Sequence, residues 1–174
     1  HVVLLELVID PTCSIVLERQ PAERNIMERP PRNPQDQLIS AKTLTKSILQ
    51  GLVIFAASFG TYYYILQHNN GDAALARTMG LSIIVLANLF LVQVNSSDYD
   101  FAAQSISLLI RDKVMWASYG GTIAGLLLIL YSPLQGLLRL TPLTLSQLLF
   151  AICIAAVSVF WYEFVKLAAL MNRK

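Results

Sequence analysis

Four stretches of this 174-residue chain contain no Asp, Glu, Lys or Arg: Ser47 to Gly71, Thr78 to Ser97, Val114 to Leu138 and Leu140 to Tyr162. A helix rises about 1.5 Å per residue, so roughly 20 apolar residues cross a hydrocarbon core of about 30 Å. Each stretch is long enough. Only 14% of the residues are charged and the mean hydropathy is +0.56, whereas a soluble domain carries about 25% charged residues. The pattern predicts an all-α, multi-span transmembrane helix bundle of about five helices.

The chain divides accordingly. His1 to Leu17 is apolar apart from Glu6 and Asp10. It begins within a hydrophobic run and without methionine, so we expect a partial first span and a longer parent protein. Residues 18–46 form a polar linker with Pro21, Pro30, Pro31 and Pro34; proline removes a donor and fixes φ, so this loop is extended or turned. From Asp36 a short helix is expected to lead into the next span. Transmembrane helices are expected over 46–67, 76–94, 114–131 and 145–168. His68-Asn69-Asn70-Gly71 spells a turn. Phe101, Ser105, Leu108 and Leu109 recur at helical spacing, which suits a short surface helix. Ser132 to Ser146, with Pro133, Gly136 and Pro142, is expected to be a loop at the interface.

Sidedness follows from the basic residues. With the first span running inward, the inner loops hold Arg19, Arg24, Arg29, Arg32, Lys42, Lys46, Arg111, Lys113, Lys166, Arg173 and Lys174, and the outer loops only Arg77 and Arg139. The positive-inside rule therefore puts the Glu18–Lys46 loop and the C-terminus in the cytoplasm of a multi-pass protein, expected in the cell membrane. Tyr62 to Tyr64 and Tyr131 then mark the outer interface, and Trp116, Trp161 and Tyr162 the inner one.

Glu6 and Asp10 are one helical turn apart on one face. Each acid costs roughly 2.5–3.5 kcal/mol at a helix centre, about 5–7 for the pair, and ten Leu, Ile and Val residues between Val2 and Leu17 offset only about 3–6. Such a helix is expected inside a bundle, its acidic face shielded from lipid. Pro11 frees a carbonyl near Glu6 and Leu7. Two carboxylates beside a free carbonyl suit a hard cation such as calcium; without one, the pair would hold a proton. Acids inside a membrane segment point to an ion pathway, although structural bonds to neighbouring helices would also explain them. Asn88, central in its span, could lend an oxygen to a cation or bond to another helix. The candidate metal-binding set is thus Glu6, Asp10 and Asn88.

Other features point elsewhere. Gly121 and Gly125 form a GxxxG expected to pack against a helix. Glu163 and Lys166 suit a local ion pair or snorkelling side chains. Cys13 and Cys153 are far apart in apolar segments and suit core packing. No Walker motif, partnered nucleophile or Gly-rich phosphate cradle occurs, so this chain has no catalytic site of its own. No basic cluster is interleaved with aromatics, so nucleic acid is not an expected partner.

These residues resemble a known family. Leu5-Glu6-Leu7-Val8-Ile9-Asp10 resembles the sixth transmembrane helix of P-type cation-transporting ATPases of the calcium-pump-like group. Arg24 to Pro34, with Ile26-Met27, two residues, then Pro30-Pro31-Arg32, is similar to the loop that follows that helix. Thr78-Met79-Gly80-Leu81-Ser82 resembles the start of the eighth helix. Pro133-Leu134 and Leu140 to Leu145 resemble the connection between the ninth and tenth. The resemblance implies helices six to ten of a ten-helix pump, with a transported cation as cargo and calcium as one candidate. It also implies ATP and magnesium bound only in domains this chain lacks, and the phosphorylation domain and remaining helices as partners of the Glu18–Lys46 loop and the bundle. Asp10 matches the family's acid. Glu6 stands where animal calcium pumps have Asn, Ile9 where they have Thr, and Asn88 where they have an acid. The rival reading is a small multi-span scaffold or accessory subunit with structural acids. A secondary carrier is disfavoured because no internal repeat is evident.

Overall fold

The computed structural model describes Glu6, Ser14, Ile15 and Glu18, then residues 41–68, 71–95 and 113–171, without the side chains of 42, 113–115, 164 and 166–171. Asp10, Pro11, Cys13, the motif from Arg24 to Pro34, the stretch from Phe101 to Leu109 and the side chain of Lys166 lie outside the described residues. Every described element is a helix: α1 (Ala41–His68), α2 (Ala73–Asn95), α3 (Lys113–Tyr131), the single turn α4 (Leu134–Leu137) and α5 (Leu145–Met171). The chain is therefore an all-α bundle, as the charge-free stretches predict. Three of these helices are long and apolar enough to cross a membrane, within Thr43–His68, Ala73–Asn95 and Leu145–Glu163; the apolar part of α3, Trp116–Tyr131, is shorter.

The turn after α1 uses Gly71 at φ 76°, a conformation that glycine adopts without a Cβ clash. Asp72 then caps α2. Its Oδ1 accepts from the backbone N–H of Ala74 at 3.1 Å and of Leu75 at 3.0 Å, satisfying donors that the first turn leaves open and placing a negative charge at the positive end of the helix.

Helix α2 is the centre of the bundle. It packs against both α1 and α5, and α1 and α5 also touch each other. Fifteen of its residues are buried. Small side chains allow this: Ala76 and Ala87 are fully covered, and a Cβ on Gly80 would sit 3.3 Å from Ser58 Oγ of α1. Its buried hydroxyls are satisfied within the helix, Thr78 Oγ1 donating to Ala74 O and Ser82 Oγ to Thr78 O, both at 2.8 Å. An intrahelical bond removes most of the cost of a hydroxyl in an apolar surrounding. Met79, Ile83, Val94, Leu130 and Val159 fill the space between helices.

Polar contacts fix the register. Ser58 Oγ donates to Gly80 O at 3.0 Å. At the Lys46 end, Gln50 and Asn95 exchange amide bonds of 3.3 and 3.2 Å, Lys46 Nζ lies 4.8 Å from the centre of the Tyr162 ring, and Phe90 meets Phe160 at 5.5 Å. Gln50 is 2% exposed, so losing its partner would strand an amide in an apolar interior. Gln50→Leu and Asn95→Leu should each lower stability by about 1–2 kcal/mol, and the double variant should recover part of the loss. Thermal unfolding of the four proteins in one detergent would measure this coupling; strict additivity would remove the bond from the account.

The connection from α3 to α5 is more ordered than an interfacial loop. Arg139, at φ 52°, turns the chain after α4. Leu140 and Leu143 are buried, Tyr131 donates its hydroxyl to Leu143 O at 2.6 Å, and the Thr141 N–H donates to Thr78 Oγ1 at 3.0 Å. Thr144 and Gln147 close a capping box on α5, with Gln147 Oε1 accepting from Thr144 N at 2.9 Å. Gly121 and Gly125 of α3 meet no atom within 4 Å of an added Cβ, so the helix expected on the GxxxG face is not among the described ones.

Candidate functional site

The three candidate ligands fall on two segments. Glu6 is helical and exposed. Asp10, one turn further, lies outside the described residues. Asn88 sits half-buried in the middle of α2, where its Nδ2 donates to Ile84 O at 2.9 Å. That bond joins Asn88 to its own helix, not to Glu6, and it uses the donor side of the amide. Oδ1 is then the atom with which Asn88 could meet a cation. Among the described residues, no three His, Cys, Asp or Glu side chains come together around a point.

Sequence reasoning missed the polar contacts that flank Asn88. Tyr119 of α3 approaches α2 one turn away, its hydroxyl 3.3 Å from Leu89 O and 3.2 Å from Gln93 Oε1. With the Gln50–Asn95 clasp, this gives α2 polar contacts on two sides near its C-terminal end, since Gln93 and Asn95 lie roughly 200° apart around the helix. The sequence signal was an isolated Gln or Tyr in an apolar run. It marks a polar contact without naming the partner.

The outer faces of the helices are apolar. Phe55 is 63% exposed and Val157 73%, with Leu52, Leu128 and Leu149 similarly open. Water would not tolerate so continuous an apolar surface, whereas lipid or further helices would cover it at no cost. A helical bundle with apolar faces outward and amides and hydroxyls bonded between its helices is a polytopic membrane protein. The family described as "Cation transporting ATPase, C-terminus" matches residues 1–168. The chain belongs to this family, the C-terminal transmembrane part of P-type cation-transporting ATPases.

Individual relatives agree with the family. The chain is 24% identical over 161 residues to a calcium-transporting ATPase of Bacillus subtilis, covering 92% of this chain and 18% of that protein. It is 21% identical over 162 residues to calcium-transporting ATPase type 2C member 1 of Pongo abelii, covering 90% of this chain and 17% of that protein. It is 28% identical over 102 residues to the cation-transporting ATPase pma1 of Synechocystis sp., covering 58% of this chain and 11% of that protein. The chain thus spans less than a fifth of the length of these curated relatives.

Proposed function

We propose that this chain is the membrane-embedded C-terminal part of an ATP-driven cation pump, and that Glu6, Asp10 and Asn88 contribute oxygens to the transported-cation site. The observation that carries the reading is the family match over residues 1–168, which includes the segment with both intramembrane acids. A carboxylate pair one turn apart suits a hard divalent cation, and the matched Bacillus subtilis and Pongo abelii relatives are named calcium-transporting ATPases. Calcium is accordingly the proposed cargo. The pair binds it in one state of the pump and takes up protons when it leaves, since two close carboxylates without a cation favour sharing a proton.

The proposed arrangement assigns ATP and magnesium to domains of the parent protein beyond this chain. The Glu18–Lys46 loop faces the cytoplasm and meets the phosphorylation domain there. The parent helices supply the remaining ligands, and the parent pump resides in the cell membrane. The test is an ion profile of ATP hydrolysis by the purified full-length protein. Calcium should stimulate hydrolysis at least tenfold over magnesium alone. Stimulation by another cation would change the cargo. No stimulation by any cation would sink the pump reading and favour a scaffold.

A further inference from the structure

The chain has seven asparagines, and only Asn70 is followed by glycine. In such a pair the backbone nitrogen of the second residue can attack the side-chain amide carbon of the first. A Cβ on the second residue hinders that approach, and glycine has none. Asn70 lies outside the described residues, but the attacking atom belongs to Gly71, which lies within them.

Gly71 is exposed, and so are His68 before the pair and Asp72 after it. Among the described residues no acceptor bonds to the Gly71 N–H, so its proton is open to exchange with solvent. No heavy atom lies within 4 Å of a Cβ built on Gly71, so nothing there crowds a closing ring. Asn88 is the contrast. It sits inside α2, where the N–H of the next residue is committed to the helix ladder.

We propose that Asn70 is a site of spontaneous deamidation. The Gly71 nitrogen loses its proton to solvent and bonds to Asn70 Cγ, and the side-chain nitrogen takes up a proton and leaves as ammonia. The resulting five-membered succinimide adds one water, which opens it at either carbonyl. One opening leaves an aspartate. The other leaves an isoaspartate, whose backbone runs through Cβ. Water is the sole co-reactant, and nothing is oxidised or reduced. Either product puts a new carboxylate two residues before Asp72, whose Oδ1 holds the N–H groups of Ala74 and Leu75 at 3.1 and 3.0 Å. The added charge suits the positive end of α2, whereas isoaspartate lengthens the chain by one backbone atom just ahead of the cap. Ammonia is lost, so the modified fraction grows with the age of the protein.

The test holds the full-length protein in detergent and mildly alkaline buffer and samples it over days. Each sample is digested in mild acid, where the reaction is slow, and its peptides are mapped by mass spectrometry. The peptide with Asn70 should gain the mass of an amide-to-acid exchange roughly tenfold faster than those with Asn25, Asn88 or Asn95, since glycine alone lacks the hindering Cβ. Isoaspartyl methyltransferase should label the same peptide. Asn70→Gln should remove the conversion, because the longer side chain closes a six-membered ring far more slowly. The chain unfolded in urea sets the reference, and the folded protein should convert within about threefold of it, as an unprotected turn would. Conversion in the unfolded chain but not in the folded protein would overturn the inference, because the turn or another part of the parent protein would then shield Gly71. Conversion in neither would overturn it as well. Both outcomes are read on the unmodified protein, so they do not depend on how any variant folds.

Discussion

Asp10→Asn in the full-length pump is expected to raise the calcium concentration for half-maximal ATP hydrolysis by roughly 100-fold or more, the scale of removing one partner from a buried charge pair. The substitution keeps the shape and one oxygen, so the loss isolates the charge. Glu6→Gln should have a similar effect if both acids face one ion, and the double variant should show no calcium stimulation at accessible concentrations. Asn88→Ala separates the two roles of that residue. Its Nδ2 bond to Ile84 O is satisfied within α2, so loss of that bond alone would leave calcium dependence unchanged. A shift of about tenfold would mean that Oδ1 meets the cation. Stability supplies the control. Each acid costs roughly 2.5–3.5 kcal/mol at mid-membrane depth, so the calcium-free double variant should unfold at an equal or higher temperature than the parent. Wild-type calcium dependence together with lower stability would mean that the acids are structural and that the cation site of the pump lies elsewhere.

Much of the bundle was legible because charge is so expensive in hydrocarbon. The charge-free stretches located α1, α2, α3 and α5. They did not give the helix ends, since hydropathy follows the bilayer rather than the backbone. The expected span starts at 46, where basic residues stop, while α1 is one continuous helix from Ala41, with the short helix expected from Asp36 and the span joined without a break over the described residues. Lysines at a helix end can carry their charge out to the interface while the backbone bonds continue inward. The central place of α2 was not legible either. Its composition resembles that of α5, and what buries it is the run of Ala76, Gly80 and Ala87 with hydroxyls that bond to their own helix. Pro133, Gly136 and Pro142 announced a break in the helix, but not that Leu140 and Leu143 would be buried beside it.

The candidate site was legible in a different way. Glu6 and Asp10 were conspicuous because their cost is local and can be read from the segment alone. Asn88 stood out for the same reason, whereas its bond to Ile84 depends on a rotamer. Gln50 and Asn95 are 45 residues apart and Tyr119 and Gln93 are 26 apart. Those pairs exist only once the helices have a register, and no local pattern encodes one.

Gly80→Leu is the packing counterpart of the Asp10 experiment, with an expected loss of about 3 kcal/mol, at the upper end for overpacking a close contact. Gly80 lies at a close approach of α2 to α1. A Cβ there would meet Ser58 Oγ at 3.3 Å, Ser58 O at 3.7 Å and Tyr62 Cβ at 4.0 Å. A single methyl is nearly accommodated, since the Ser58 hydroxyl can move by a few tenths of an ångström. Alanine also gains about 0.8–1.0 kcal/mol over glycine in a helix interior, so Gly80→Ala should be close to neutral even if the 3.0 Å Ser58–Gly80 bond weakens. Leucine has no such room. Its branch must displace the Ser58 backbone or tilt α1 away, which would also strain the Gln50–Asn95 clasp some 20 Å further along the same interface, from the helical rise over 15 residues of α2. Thermal unfolding in detergent should therefore rank the parent and Gly80→Ala together, with Gly80→Leu far below. Adding Ser58→Gly to Gly80→Leu should restore part of the loss, because it clears the nearest side-chain obstacle and leaves the backbone one. If Gly80→Leu unfolds with the parent, α1 and α2 do not make this contact. If Ser58→Gly brings no recovery, the clash lies with the backbone and Tyr62 alone, and the small hydroxyl at position 58 is not what sets the distance between the helices.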